Sequence, residues 1–181
     1  MLLLTPTVHR DERGFFYESY RRERFESALG QSLRFEQDSH SRSDRGVLRG
    51  LHLQGGTDAQ GKLVRVTRGR AFDVAVDLRP SSPTFGRWTG VILDEEVPQC
   101  LWLPPGFAHG FLAIGEGTEV QYKSTRGYAP GSERVLAWDD PEVAIEWPLA
   151  EWFAEGEAPQ LSPKDRGGEP LAAFREPGFL E

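Results

Sequence analysis

Apolar and polar positions alternate along most of the chain in short runs, and glycine or proline closes nearly every run. Alternation with period two predicts half-buried strands. In Val47-Leu48-Arg49-Gly50-Leu51-His52-Leu53-Gln54 it places Val47, Arg49, Leu51 and Leu53 on one face, with Leu48, Gly50, His52 and Gln54 on the other. "GFFYESY" (14–20) predicts a further strand. "KLVRVTRGRAFDVAVDL" (62–78) predicts a hairpin of two alternating runs around Arg68-Gly69. "TGVIL", "QCLWL", "GFLAI", "EVQYKST" and "RVLAWDD" continue the series. One segment departs from it: "RRERFESALG" (21–30) has Phe25, Ala28 and Leu29 at helical spacing and ends on Gly30, which predicts one short helix. After Trp147 the chain reads as loop-rich. With 20 glycines and 13 prolines in 181 residues, the pattern predicts a single all-β domain over 1–181, a sandwich or barrel.

Three polar side chains fall on apolar faces of these runs. Lys62 lies in line with Val64 and Val66, Tyr122 with Val120, and His109 with Phe111 and Ala113. A tyrosine or a histidine in such a place is ordinarily a core residue with its polar atoms satisfied, whereas buried lysine is rare without a counter-ion or ligand. Together with His52 these residues favour a polar pocket inside a barrel. Arg49 and His52, three residues apart, point to opposite faces of a regular strand. They serve one site only if Gly50 marks a bulge; otherwise Arg49 makes a surface ion pair and His52 alone looks inward.

Composition narrows the possible partners. At 38% hydrophobic and 27% charged residues the chain reads as a soluble globular protein. A net charge of -7 argues against sequence-independent nucleic-acid binding, which needs a basic surface, but leaves room for a local anion pocket. A single cysteine, Cys100, excludes an internal disulfide and is expected to be a small buried apolar residue; it fits a reducing compartment, hence a cytoplasmic expectation. "MLLL" meets Thr5-Pro6 at once and is too short for a membrane span. His9 and His40 read as surface or structural, and the five tryptophans as core or dimer interface.

"LPPGFAHGF" (103–111) carries the Pro-x-Gly-x-x-His pattern that resembles the second motif of cupins. With "DERGFFYESY" (11–20), "FEQDSHSRSDRGVLRGLHLQ" (35–54), "GKLVRVTRGRAFDVAVDLRPSSPTFGRW" (61–88), "EVQYKS" (119–124) and "LSPKD" (161–165), the chain resembles the dTDP-4-dehydrorhamnose 3,5-epimerase family over nearly its whole length. The resemblance implies an all-β, cupin-type jelly-roll barrel with one or two short peripheral helices. It also implies a homodimer, no metal or other cofactor, and a dTDP-linked 4-keto-6-deoxy sugar as substrate. It makes His52 the proton acceptor, Asp165 its partner and Tyr122 the proton donor. Arg13, Glu18, Gln37, Arg49, Lys62, His109, Glu133 and Lys164 match substrate-contacting positions. Ser39 stands where the family usually has asparagine, and the segment between Trp147 and "LSPKD" is several residues longer than usual.

Inversion of a carbon beside a ketone supplies an independent reason for the same groups. One proton must leave and another must arrive on the opposite face. Histidine, at about 6.5 when unperturbed, suits the base, and a carboxylate on its other nitrogen fixes the tautomer. Tyrosine can return a proton to an enolate. Lys62 is the first candidate to stabilise the enolate oxygen and His109 the second. Arg13, Arg49 and Lys164 suit a diphosphate, and Tyr128 a thymine ring. Three alternatives remain: a single-site epimerase acting at one carbon, a metal-dependent cupin, and a non-catalytic sugar-nucleotide binding module. Gln54 stands where a metal-binding His-x-His pair needs its second histidine, and a binding module has no use for acid, base and orienting carboxylate together.

Overall fold

Two antiparallel sheets packed face to face take up the alternating runs. The structure, a computed structural model, describes residues 1–154, 156, 158–175 and 178–179. Its strands are β1 (Leu2–Leu4), β2 (His9–Asp11), β3 (Gly14–Phe16), β4 (Gln37–Ser43), β5 (Leu48–Gln54), β6 (Lys62–Arg68), β7 (Arg70–Asp77), β8 (Trp88–Asp94), β9 (Cys100–Leu103), β10 (Phe107–Ala113), β11 (Thr118–Ser124) and β12 (Glu133–Val135). One sheet runs β1-β9-β6-β11-β4 and the other β12-β5-β10-β7-β8, while β2 and β3 form a separate ribbon. Three short helices, α1 (Arg22–Leu29), α2 (Leu149–Trp152) and α3 (Pro163–Arg166), lie outside the sheets. This is the expected jelly roll; among the described residues it carries three α-helices and three short 3-10 turns where one or two short helices were expected. Among the described residues no helix is long and apolar enough to cross a membrane.

The interior follows from strand parity. Val64, Val66, Leu101, Leu103 and Val120 of the first sheet pack against Ala71, Ala75, Leu93 and Phe111 of the second. The second sheet is covered on its other face too: Leu51, Leu53, Val74 and Val76 meet Leu136, Leu171 and Phe174. The C-terminal segment thus serves as a lid on that sheet, and β7 is buried on both faces for most of its length. Over the first sheet, α1 lays Phe25 edge-on to Trp102 with ring centroids 5.3 Å apart. Gly30 ends α1 in the left-handed conformation at φ 70° and donates to the Glu26 carbonyl, as its position predicts.

Two expectations need correction. The run 62–78 is not a hairpin: β6 pairs with β9 and β11, and β7 with β8 and β10. Gly69 alone separates the two strands, too little for a two-residue hairpin loop. At φ 72° it carries the chain from one sheet to the other. Alternation identifies a strand but not its partner, and both readings share the same pattern. The strands "GFFYESY" and "RVLAWDD" are shorter than expected: the first covers only Gly14–Phe16, whose Phe15 and Phe16 are 60% and 67% exposed, and the second, β12, ends at Val135.

Gly50 does mark a bulge. His109 stands opposite His52, yet Phe111 stands opposite Arg49, so β5 holds one residue more than β10 across this interval. Gly50 sits at φ 119°, and a Cβ there would lie 2.5 Å from Gly110 Cα and 2.7 Å from the His109 carbonyl oxygen. The extra residue lets Arg49 and His52 both be used. The guanidinium of Arg49 donates to Ser43 Oγ at 2.9 Å and to the Arg42 carbonyl at 3.2 Å, reaching the other sheet rather than a surface carboxylate.

Gly50→Ala should therefore destabilise the protein by roughly 2–4 kcal/mol, because backbone strain and a clash with fixed backbone add. Gly131→Ala, where nothing lies within 4 Å of the added Cβ, is the control and should stay within about 0.5 kcal/mol. Denaturant titration of both variants checks this, and equal stability would remove the bulge from its structural role.

Candidate active site

The sequence Leu161-Ser162-Pro163-Lys164-Asp165 builds its own support. Ser162 is the N-cap of α3, Pro163 fills the first helical position, and the Asp165 N–H donates back to Ser162 Oγ at 3.1 Å. The same hydroxyl donates to Asp165 Oδ2 at 2.7 Å. The free oxygen, Oδ1, is thereby aimed at β5, where His52 Nε2 lies 2.6 Å away and the Gly50 N–H donates at 3.4 Å. Burial pushes the carboxyl of Asp165 upward, but His52, Ser162 and Gly50 outweigh it and hold the group below the usual carboxylate range. With Nε2 committed to Asp165, Nδ1 is the nitrogen of His52 left to act on a substrate. The longer loop before α3 does not disturb this pairing.

His52 and His109 are direct cross-strand partners on β5 and β10. His109 is buried and its Nε2 lies 3.0 Å from Asp73 Oδ2. Sequence reasoning missed Asp73. Its signal was the parity it shares with Ala71 and Ala75, which puts a carboxylate in an inward row of alanines. From the facing sheet come Lys62 on β6 and Tyr122 on β11, with the ammonium 6.0 Å from the Tyr122 ring centre. Burial draws the Lys62 ammonium down to about 8, against the pull of Glu133 and Asp73 and with some help from Lys164.

A second group of residues adjoins β12. Tyr128 Oη donates to Glu133 Oε2 at 2.8 Å, and Lys164 bonds the same oxygen. Burial raises the carboxyl of Glu133, yet these two bonds and the nearby His52 hold it low. The Lys164 ammonium also sits 5.9 Å from the centre of the Tyr128 ring, which is 55% exposed and offers a flat aromatic face. Side-chain amides hold this loop. Gln37 Oε1 accepts from the Tyr128 N–H at 2.8 Å, while Gln54 bonds the Ala129 N–H and the Gly127 carbonyl. Ser39 accepts from Gln37 Nε2 at 2.9 Å, so the shorter side chain steadies that glutamine. Gln54 is thus a clamp for the Tyr128 loop, and the Nε2 atoms of both interior histidines face carboxylates.

Arg13 and Glu18 stand apart from this cluster within the chain. Arg13 pairs with Asp11 on the β2–β3 ribbon with its side chain 84% exposed, and Glu18 pairs with Arg21 and Arg24. His9 is exposed, His40 pairs with Glu119, and Cys100 is buried, all as expected.

Both the sequence and the fold have close counterparts. The sequence model of a family described as dTDP-4-dehydrorhamnose 3,5-epimerase matches residues 1–173. The chain is 53% identical over 172 residues to the dTDP-4-dehydrorhamnose 3,5-epimerase of Pseudomonas aeruginosa, covering 95% of this chain and 91% of the relative. The dTDP-6-deoxy-D-glucose-3,5-epimerase of Legionella pneumophila, solved with dTDP-4-keto-L-rhamnose, superposes with a TM-score of 0.88 at 49% identity, over 95% of this chain and 90% of that one. A 3'-monoepimerase of Streptomyces bikiniensis, solved with dTDP-quinovose, gives the same TM-score of 0.88 at 34% identity, over 98% and 87% of the two chains. Agreement that runs from β1 through α3, and so takes in both members of the His52–Asp165 pair, leaves one conclusion: the chain belongs to the dTDP-4-dehydrorhamnose 3,5-epimerase family.

Proposed function

We propose that this protein inverts C3 and C5 of a dTDP-linked 4-keto-6-deoxy-hexose, converting dTDP-4-dehydro-6-deoxyglucose to dTDP-4-dehydro-L-rhamnose with no cofactor. The observation that carries the proposal is the His52–Asp165 bond of 2.6 Å, which joins β5 of one sheet to α3, set against Tyr122 and Lys62 on the other sheet. The Nδ1 atom of His52 takes the proton beside the ketone, and Asp165 stabilises the imidazolium that forms. The electron pair moves onto the C4 oxygen, where the Lys62 ammonium offsets the charge by roughly 3–4 kcal/mol, the scale of a single oxyanion donor. Tyr122, arriving from the opposite sheet, returns a proton to the far face and inverts the carbon. The same groups act at the second carbon because both flank one ketone.

The exposed face of Tyr128 suits the thymine ring, and Lys164 and Arg49 suit the diphosphate. Arg13 and Glu18 contribute in a homodimer. Support for this comes from the β2–β3 ribbon, which presents Arg13, Phe15 and Phe16 outward as a surface for a second copy. Buried, unpaired Cys100 supports a reducing, cytoplasmic setting.

The purified protein, treated with a chelator, should convert dTDP-4-keto-6-deoxyglucose to the L-rhamno product, as read by product analysis; turnover that requires an added metal would contradict the cofactor-free reading. His52→Ala should cut turnover by about 10²–10⁴-fold while dTDP still binds, because the base acts on the sugar alone. Near-normal turnover in that variant would give the base to another residue.

Lys62 sets a pH dependence. Its ammonium is present below about 8 and lost above it, so kcat/KM, which reports the free enzyme, should decline as pH rises through that value. A flat alkaline profile would take the enolate-stabilising role away from Lys62.

A further inference from the structure

Asp165 and Lys164 stand on a helix of four residues, too short to hold itself, so contacts outside it must fix where they sit. The chain before α3 is tied to the start of β5. The Gln160 N–H donates to the Gly46 carbonyl at 2.8 Å, and the Gln160 carbonyl accepts from the Leu48 N–H at 3.0 Å. The chain after α3 is tied to the end of β12 and the residues that follow it. The Glu169 N–H donates to the Val135 carbonyl at 2.7 Å, and the Glu169 carbonyl accepts from the Ala137 N–H at 2.8 Å. Gly168 lies flush on the same stretch: a Cβ there would come within 2.6 Å of Ala137 Cα. The Asp165 carboxylate is thus strung between two anchors, Gln160 and Glu169.

The second anchor carries a side-chain clasp as well. The Arg134 guanidinium meets the Glu169 carboxylate in two bonds, Nε to Oε1 at 2.9 Å and Nη2 to Oε2 at 2.5 Å. The same Nη2 donates to the Ala173 carbonyl at 3.1 Å, and the guanidinium carbon stands 4.1 Å from the centre of the Phe174 ring. Fork, carbonyl and ring together hold Arg134 in one orientation. As a stabiliser the pair is weak, because the Glu169 side chain is 42% exposed. Its effect is geometric. Neighbouring residues of a strand point to opposite faces, and β12 uses both: Glu133 bonds Lys164, just before Asp165 in the chain, and Arg134 bonds Glu169, just after it. Val135, the next residue, is the cross-strand partner of His52. One strand of three residues therefore registers His52 and the segment bearing Asp165 against each other.

We propose that Arg134 and Glu169 are positioning residues: their clasp sets the approach of Asp165 Oδ1 to His52 Nε2, a role that rests on reading that pair as the proton acceptor. Without the clasp the backbone bonds remain but α3 can drift, and a misplacement of about 1 Å at a reacting group costs on the order of 10²-fold in rate. Lys164 keeps its own bond to Glu133, so nucleotide anchoring is spared.

The test measures kcat and dTDP affinity in the full-length chain for Glu169→Ala, Arg134→Ala and the double variant, with Glu169→Ala repeated in the His52→Ala background. Each single variant should lower kcat by about 10–10²-fold with dTDP affinity unchanged. The double variant should be no slower than the slower single one, because both side chains act through one contact. With His52 already replaced, Glu169→Ala should lower the residual turnover no further. Wild-type kcat in Glu169→Ala, beside an inactive His52→Ala, would overturn the proposal and leave the base where it is. Near-normal turnover in His52→Ala would remove the base assignment and the proposal together. A loss of rate matched by loss of dTDP affinity, or repeated in full in the His52→Ala background, would make the clasp purely structural and overturn its positioning role. Should Arg134→Ala fail to fold for want of its contact with Phe174, Glu169→Gln takes its place: it keeps the volume and gives up the charge. Its kcat should fall with dTDP affinity unchanged, and wild-type kcat there would overturn the proposal.

Discussion

A buried ionised carboxylate is tolerable only when its oxygens are bonded. Asp165 meets that condition through Ser162, His52 and the Gly50 N–H, each supplied by a different local device. The helix cap delivers Ser162, the strand delivers His52, and the bulge at Gly50 turns an N–H toward the carboxylate. Removing any one leaves a buried charge short of a partner, so the short helix, the bulge and the base form a single unit. The C-terminal segment beyond the sheets is held to the second sheet by Leu171 and Phe174. Apolar packing at a distance from the chemistry thereby fixes where the carboxylate sits.

The rest of the site obeys the same requirement at other positions. His109 has Asp73, and Glu133 has Tyr128 and Lys164. Among the described residues Lys62 has no ion-pair partner of that kind, and burial draws its ammonium down to about 8. A lysine so placed is poised for a substrate that develops negative charge beside it. The barrel supplies the geometry for the proposed chemistry: one sheet carries both histidines and the other carries Lys62 and Tyr122, so a sugar held between the sheets would have the proposed base on one side and the proposed acid on the other.

Much of this was legible in the sequence, for identifiable reasons. Strands β5 to β11 followed from alternation, whereas β1, β2 and β4 were not identified, and α1 followed from the spacing of Phe25, Ala28 and Leu29 with Gly30 as its stop. Lys62, Tyr122 and His109 announced themselves as polar groups in apolar rows. The pairing of β6 and β7 was not legible, because alternation is identical whether a strand pairs with its successor or crosses to the facing sheet. Asp73 carried a signal in its shared parity with Ala71 and Ala75, but on β7, buried on both faces, polarity does not tell the inward row from the outward one. Gln54 was seen only as a missing metal ligand, since its bonds to Gly127 and Ala129 depend on a loop far along the chain.

Fold alone does not distinguish inversion at one carbon from inversion at two, since a 3'-monoepimerase superposes with the same TM-score as a 3,5-epimerase. What separates them is whether the sugar can readjust between His52 and Tyr122 after the first inversion. Proton exchange in heavy water with dTDP-4-keto-6-deoxyglucose measures this directly. The account predicts deuterium at both C3 and C5, incorporated with inversion and abolished at both positions by His52→Ala. Deuterium at C3 or C5 alone, or exchange that survives loss of His52, would contradict the claim that one His52–Asp165 base serves both carbons.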